Sequence, residues 1–269
     1  MSTASSTLPL AIQRPFSRTL AIYAKEARYD FLGRLRLPVY TISTLMFPIM
    51  FYVLFGLLLN RGAVHAGIGV STYLVATYGT FGVMGAALFG FGVGVAMERG
   101  LGWLQVKRAS PMPPFAYFVA KVVTSMAFSA AIALSLMILG IAFGGVRLPV
   151  STAISLVGTL VAGSICFCAF GLAIGSWAGP NSAPAVVNLI YLPMSFASGL
   201  WMPIEMLPKF VQQFAPFLPA YHLAQLALGA IGAGHGSALQ HWEALAGFAL
   251  VCLGMARLGF QRDQERTAG

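Results

Sequence analysis

Uncharged stretches long enough to cross a bilayer recur along this chain, and no other feature limits its possible folds so strongly. About 20 apolar residues in a helix span roughly 30 Å of hydrocarbon while satisfying every backbone polar group within the segment. Pro38 to Leu59 carries no charge, and a second span is placed at Tyr73 to Met97, inside the uncharged window between Arg61 and Glu98. A third lies between Lys121 and Arg147, its helix beginning near Phe115. The window from Leu148 to Ile204 is too long for one crossing. Gly179-Pro180-Asn181 divides it, because proline lacks an N–H and disfavours helix in the residue before it. A fourth span near Ser151 to Ala178 and a fifth near Pro184 to Leu200 result. Trp242 to Phe260 is the sixth, with Glu243 and Arg257 near its ends, where arginine snorkels and tryptophan sits at headgroup level. Leu223 to Gly234 is apolar but too short to cross, which predicts a re-entrant or interfacial helix.

Hydrophobic residues make up 58% of the 269 positions and charged residues 9%, against about 25% charge in a soluble domain, so a soluble enzyme is excluded. The net charge of +9 would point to nucleic acid in a soluble protein, but the placement of the cations gives another account. Basic loops stay in the cytoplasm. Arg14, Arg18, Lys25, Arg28, Arg34 and Arg36 precede the first span; Arg99, Lys107, Arg108 and Lys121 flank the connection between the second and third; Arg257, Arg262 and Arg266 end the chain. Only Arg61, Arg147 and Lys209 fall on the other side. Six spans with this asymmetry predict both termini inside and all four histidines, His65, His222, His235 and His241, outside. Residues 1–37 lack a compact apolar region after a basic start, so the first span is expected to serve as the insertion signal. Cys166, Cys168 and Cys252 lie within spans and imply no disulfide framework. The expected organisation is an all-α integral membrane protein: a cytoplasmic segment at 1–37, one membrane domain at 38–260 and a tail at 261–269.

Four features are candidates for function. Phe16, Leu20, Tyr23, Ala27 and Phe31 share one face of an N-terminal helix with Arg18 and Lys25 opposite, which suits a helix lying in the membrane interface, although Asp30 and Arg34 interrupt the apolar face. The inner connection from Glu98 to Pro111 mixes charges with Trp103 and Leu104. It is either a short helix docking into a partner's groove or a solvated loop held inside by its charge. Gly171, Gly175 and Gly179, four apart, offer a face for close helix packing. Pro203, Glu205 and Pro208, with Pro216 and Pro219, forbid one long helix and predict short broken helices dipping toward the membrane. Glu205 there is equally a gate residue or a hydrated loop carboxylate.

Several classes of chemistry lack their residues. No G-x-x-x-x-G-K-[ST] phosphate loop and no G-x-S-x-G nucleophile motif occur, and His235 and His241 lack metal-ligand spacing, so no metal site is expected. Glu98, Lys121, Glu243 and Arg257 map near span ends, which disfavours an ion-coupled carrier with charges at mid-membrane. A membrane scaffold that transports nothing would share the topology and remains the alternative on these residues.

The order of these parts resembles the permease subunits of the second exporter type of ABC transporters, which export drugs, lipids and polysaccharides. Lys25-Glu26 before the first span, Glu98-Arg99 through Trp103 and Pro111, and Pro203-Ile204-Glu205-Met206-Leu207-Pro208 carry the resemblance. It implies that Glu98, Arg99, Gly100, Gly102 and Trp103 belong to a coupling helix docking on a separate ATPase, with Lys25 and Glu26 on the interfacial helix beside it. Pro203, Glu205 and Pro208 would belong to the short outer helices. Two six-span copies, as a homodimer or heterodimer, would enclose the path in a bacterial inner membrane. ATP and magnesium would be bound by the partner ATPase, with no cofactor on this chain and no nucleic acid involved.

Overall fold

The computed structural model of the chain describes residues 16–59, 64–65, 67–110, 112–113 and 115–268. Arg14, Arg61 and Pro111 lie outside the described residues, as do the side chains of Phe16, Arg108 and Arg266. The described chain is almost wholly helical. α1 runs over Phe16–Leu35, and α2 over Pro38–Leu59, opened by proline at its first position, where the missing N–H is no loss. Strands β1 (Val64–His65) and β2 (Ile68–Gly69) form a small antiparallel hairpin through Gly67, whose φ of 77° suits a residue without a Cβ. Then follow α3 (Val70–Gly100), α4 (Trp103–Ala109), α5 (Ala116–Phe143), α6 (Val150–Trp177) and α7 (Ala183–Ala197). A short turn at Ile204–Met206, α8 (Lys209–Phe214) and a second turn at Ala215–Phe217 lead to α9 (Pro219–Ala230) and α10 (Ala238–Ala268).

Among the described residues five helices are long and apolar enough to cross a membrane: α2, α3, α5, α6 and Ala238–Asp263 of α10. The stretch expected to cross fifth is shorter than anticipated, because α7 stops after 15 residues. Gly199 takes φ 73°, and the Leu200 N–H reaches back 3.1 Å to the Ser195 carbonyl, a left-handed wrap that closes a helix C-terminus. The apolar stretch from Leu223 to Gly234 becomes α9, packed on α3, α6 and α10 with Leu223 and Ala227 fully buried.

α3 is the axis of the bundle. Of its most apolar window 78% is buried, against 17% for α2 and 22% for α10, so those two turn most of their surface outward. Val39, Ile42, Met46, Met50 and Leu54 form an exposed apolar stripe along α2, while Tyr78, Phe81, Met84 and Leu88 of α3 are fully enclosed. Glycine permits this density. A Cβ on Gly171 or Gly175 of α6 would meet the Gly92 backbone at 3.0 and 2.6 Å, so α3 and α6 touch backbone to backbone there. Gly179, expected on the same packing face, lies beyond the end of α6 and meets only the Ser182 hydroxyl at 3.5 Å, because the helix stops at Trp177 before the Gly-Pro break.

Candidate functional site

At one end of the bundle four charged residues converge on one buried cluster. Asp30 and Arg34 are one helical turn apart on α1, and Tyr117 and Lys121 one turn apart on α5, so each helix presents a pair on a single face. α1 packs along α5 and brings these faces together. Lys121, 1% exposed, places its Nζ 3.2 Å from Asp30 Oδ1 and 2.7 Å from Glu98 Oε1 at the C-terminal end of α3. Arg34 Nε closes the other side of Asp30 at 3.2 Å, and the Tyr117 hydroxyl donates to Glu98 Oε2 at 2.7 Å. Two cations and two carboxylates thus compensate each other in a largely buried setting, the condition for tolerating buried charge. Burial pushes the Asp30 carboxyl up, but Lys121 and Arg34 together outweigh it and hold the group below the ordinary carboxylate range. Burial likewise opposes the charge on Arg34, and Asp30, helped by Tyr40 and Glu98, more than restores it.

A second layer reaches the connection between α3 and α5. Lys107 of α4 pairs with Glu26 of α1 and stands over the Tyr117 ring, whose other cation neighbour is Lys121, at 4.7 and 4.9 Å from the ring centre. Gly102, with φ 74°, provides the left-handed turn between α3 and α4. Gly100 lies so close to Pro180 that a Cβ would come within 2.6 Å of it. Leu101, Trp103 and Val106 are 74%, 54% and 62% exposed, an apolar corner on the underside of a tightly held loop. Lys25 is exposed on α1, and Glu26 is half-buried in its pair with Lys107.

Arg99 does different work. Its guanidinium donates to the carbonyls of Ser176 at 2.8 Å and Ala178 at 2.6 Å, groups that the end of α6 leaves without helical partners, and it approaches Asp263 of α10 at 3.4 Å. One side chain therefore fastens α3 to α6 and α10. At the opposite end of the bundle, Pro203 precedes the turn at Ile204–Met206 and Pro208 precedes α8. Glu205 is exposed and lies 3.6 Å from His65 of the hairpin, far along the fold from the inner cluster. Between α2, α3 and α7 a cleft of about 580 Å³ opens, walled by Tyr40, Phe47, Gly85, Phe89 and Tyr191, with Arg34 at one end.

Sequence reasoning singled out Glu98 and Arg99 but missed that Glu98 faces Lys121 and that Asp30, Arg34 and Tyr117 join them. The available signal was the intrusion of Asp30 and Arg34, four residues apart, on an otherwise apolar helix face.

The helices and their clamped base define a multi-pass integral membrane protein, of the kind held in the inner membrane of bacteria. A sequence profile of the family described as ABC-2 type transporter matches residues 27–231, and the chain belongs to that family: it is a membrane permease of an ABC transporter. Among curated relatives, a Bacillus subtilis (strain 168) protein named Putative transport permease YvfS is 26% identical over 202 residues, covering 75% of this chain and 82% of that one.

Proposed function

We propose that this permease forms half of the path of an ATP-driven exporter, paired with a second permease copy and driven by a separate ATPase that binds ATP and magnesium. In this reading the chain crosses six times with both termini in the cytoplasm, the shorter α7 completing the set. The scaffold alternative gives way to the permease family. α4 and the turn before it dock on the ATPase, and the outer segment at residues 203–208 shapes the exit.

One observation carries the reading: the exposed apolar corner of Leu101, Trp103 and Val106 sits on a loop whose other side is fixed to four helices. A protein surface keeps large apolar groups together in the open where a partner covers them. Because Glu98 and Arg99 turn inward, they position this corner while Trp103 touches the partner. ATP binding would shift the loops and, through their fastenings, move the bundles as packed bodies. The cleft between α2, α3 and α7, apolar with an aromatic wall, suits a drug, lipid or polysaccharide as cargo. The test replaces Leu101 and Trp103 with aspartate and alanine and measures co-purification of the ATPase with the intact permease. We expect association to fall at least tenfold with the permease still folded; full association would overturn the docking assignment.

A further inference from the structure

The outer end of the bundle holds an imidazole pair that transport as described leaves unused. His222 of α9 and His241 of α10 stand Nδ1 to Nδ1 at 2.8 Å. His222 Nε2 lies 2.9 Å from the Pro216 carbonyl, and His241 Nε2 lies 2.7 Å from the His235 carbonyl. A carbonyl oxygen only accepts, so both Nε2 atoms carry hydrogen. If both rings were neutral, two lone pairs would face each other across 2.8 Å; if both were imidazolium, two N–H hydrogens would compete for the same gap. A single proton between the two Nδ1 atoms, giving the pair one positive charge, makes all three contacts hydrogen bonds.

We propose that His222 and His241 share one proton and act as a pH-sensitive latch that fastens the outer short helices to the last spanning helix. The pair joins four segments through its two carbonyl partners: the turn at Ala215–Phe217, α9, the loop before α10, and α10 itself. Gln225 adds a fourth tie, accepting the His235 N–H at 2.8 Å and holding the loop to α9.

Around the pair, Tyr221 sets its ring edge-on at 5.6 Å from His222 and 6.2 Å from His241, and Glu205 acts electrostatically on Tyr221. Glu243 is exposed two residues beyond His241, and Lys209 is exposed on α8. Of the helices packed against α9, α6 carries only Cys166 and Cys168 as titratable groups, and the outer half of α3 carries Tyr73 and Tyr78. No carboxylate contacts either imidazole among the described residues, so nothing there absorbs a second charge.

His241 is only 8% exposed. Burial holds His222 below the ordinary imidazole value, and the charge on His241 acts in the same direction against the opposing Pro216 hydrogen bond. Of the two rings, His222 is thus the one whose charged form the fold disfavours. A group whose value is depressed in the fold binds its proton more readily once released. The latch is thus held while the pair carries one proton and opens as pH falls and a second proton enters. It rests on the transport reading only for the compartment sensed, which is the outer one.

The test is hydrogen exchange on the full chain in lipid nanodiscs, read over residues 215–241 and corrected for intrinsic exchange rates. Protection should drop at least tenfold between pH 7 and pH 5, and H222Q and H241Q should each abolish that step. Protection that stays level in the natural sequence, or a step that survives in the variants, would overturn the latch. Should either variant fail to fold, nitrogen NMR of histidine-labelled natural protein decides: one imidazolium and one neutral ring with hydrogen on Nε2 at pH 7 supports it, and two neutral rings overturn it. The ATPase takes no part in either readout, so failure here leaves the docking assignment standing, and failure of docking leaves this result standing.

Discussion

Replacing Lys121 with methionine removes the cation that two carboxylates share, with little change of volume. The Asp30, Glu98, Lys121 and Arg34 cluster is neutral as built, and the variant leaves a net negative charge in a site where the lysine was 1% exposed. Breaking a buried pair by deleting one partner destabilises by about 3–5 kcal/mol, since the orphaned charge remains desolvated. Glu98 is 30% exposed and recovers some solvation, which places the expected loss near about 3 kcal/mol. At about 2–4 °C per kcal/mol for a chain of this size, the unfolding midpoint should fall by on the order of 10 °C. The same logic fixes the rescue. Removing Glu98's charge as well, in K121M/E98Q, leaves Asp30 facing Arg34 at 3.2 Å as a neutral pair and should restore more than half of the loss. Thermal unfolding of the permease in one detergent, followed by tryptophan fluorescence for both single variants and the double, completes the cycle. An unchanged midpoint in K121M, or a double variant no more stable than K121M, would refute the account of a compensated buried cluster.

Two further predictions probe the other fastenings. R99A should lower the unfolding midpoint by several degrees, since two hydrogen bonds from a charged donor, each contributing about 1.5–3 kcal/mol, leave the Ser176 and Ala178 carbonyls unpaired. R99K should recover little of it, because an ammonium cannot hold both carbonyls in the geometry of a planar fork. G175A sets a methyl 2.6 Å from the Gly92 carbonyl oxygen, where backbone faces backbone, and should destabilise by about 1–3 kcal/mol, whereas G179A, 3.5 Å from a mobile hydroxyl, should unfold like the natural chain. Equal midpoints for the two glycine variants would refute close packing of α3 on α6.

Charge-free length made the spans legible. α2 coincides with the stretch read from Pro38 to Leu59, and the break at Gly179-Pro180 falls where α6 gives way to α7, because a bilayer crossing and a proline each impose a rule that acts on local sequence alone. What stayed hidden depends on contacts between distant residues. Asp30 is 91 positions from Lys121, and only the packing of α1 on α5 makes Asp30 a partner within a cluster instead of a flaw in an amphipathic face. Arg99 presented the same difficulty. In sequence it is one more cation on an inner loop, and its double bond to carbonyls 77 and 79 residues away is visible only once α6 ends beside it. The shortness of α7 was missed for a related reason. Apolar composition from Pro184 to Leu200 is continuous, and the stop comes from the left-handed Gly199, a conformation that hydropathy does not register.

The two ends of the molecule are fastened by bonds of different strength. At the α4 end, compensated charges between buried or half-buried groups tie α1, α3, α4 and α5 together, and the Arg99 fork adds α6 and α10. Such bonds are shielded from solvent and resist change of salt or modest change of pH. At the opposite end the ties include a His65–Glu205 contact at 3.6 Å, half of it exposed, and the imidazole pair. In the proposed transport reading, a push delivered to α4 would travel through a rigid base and meet its weakest resistance at the far end. A stiff base and a more exposed rim are what a lever needs if, as proposed, motion begun at α4 is to open a passage at the far end, and the placement of charged side chains contributes to both.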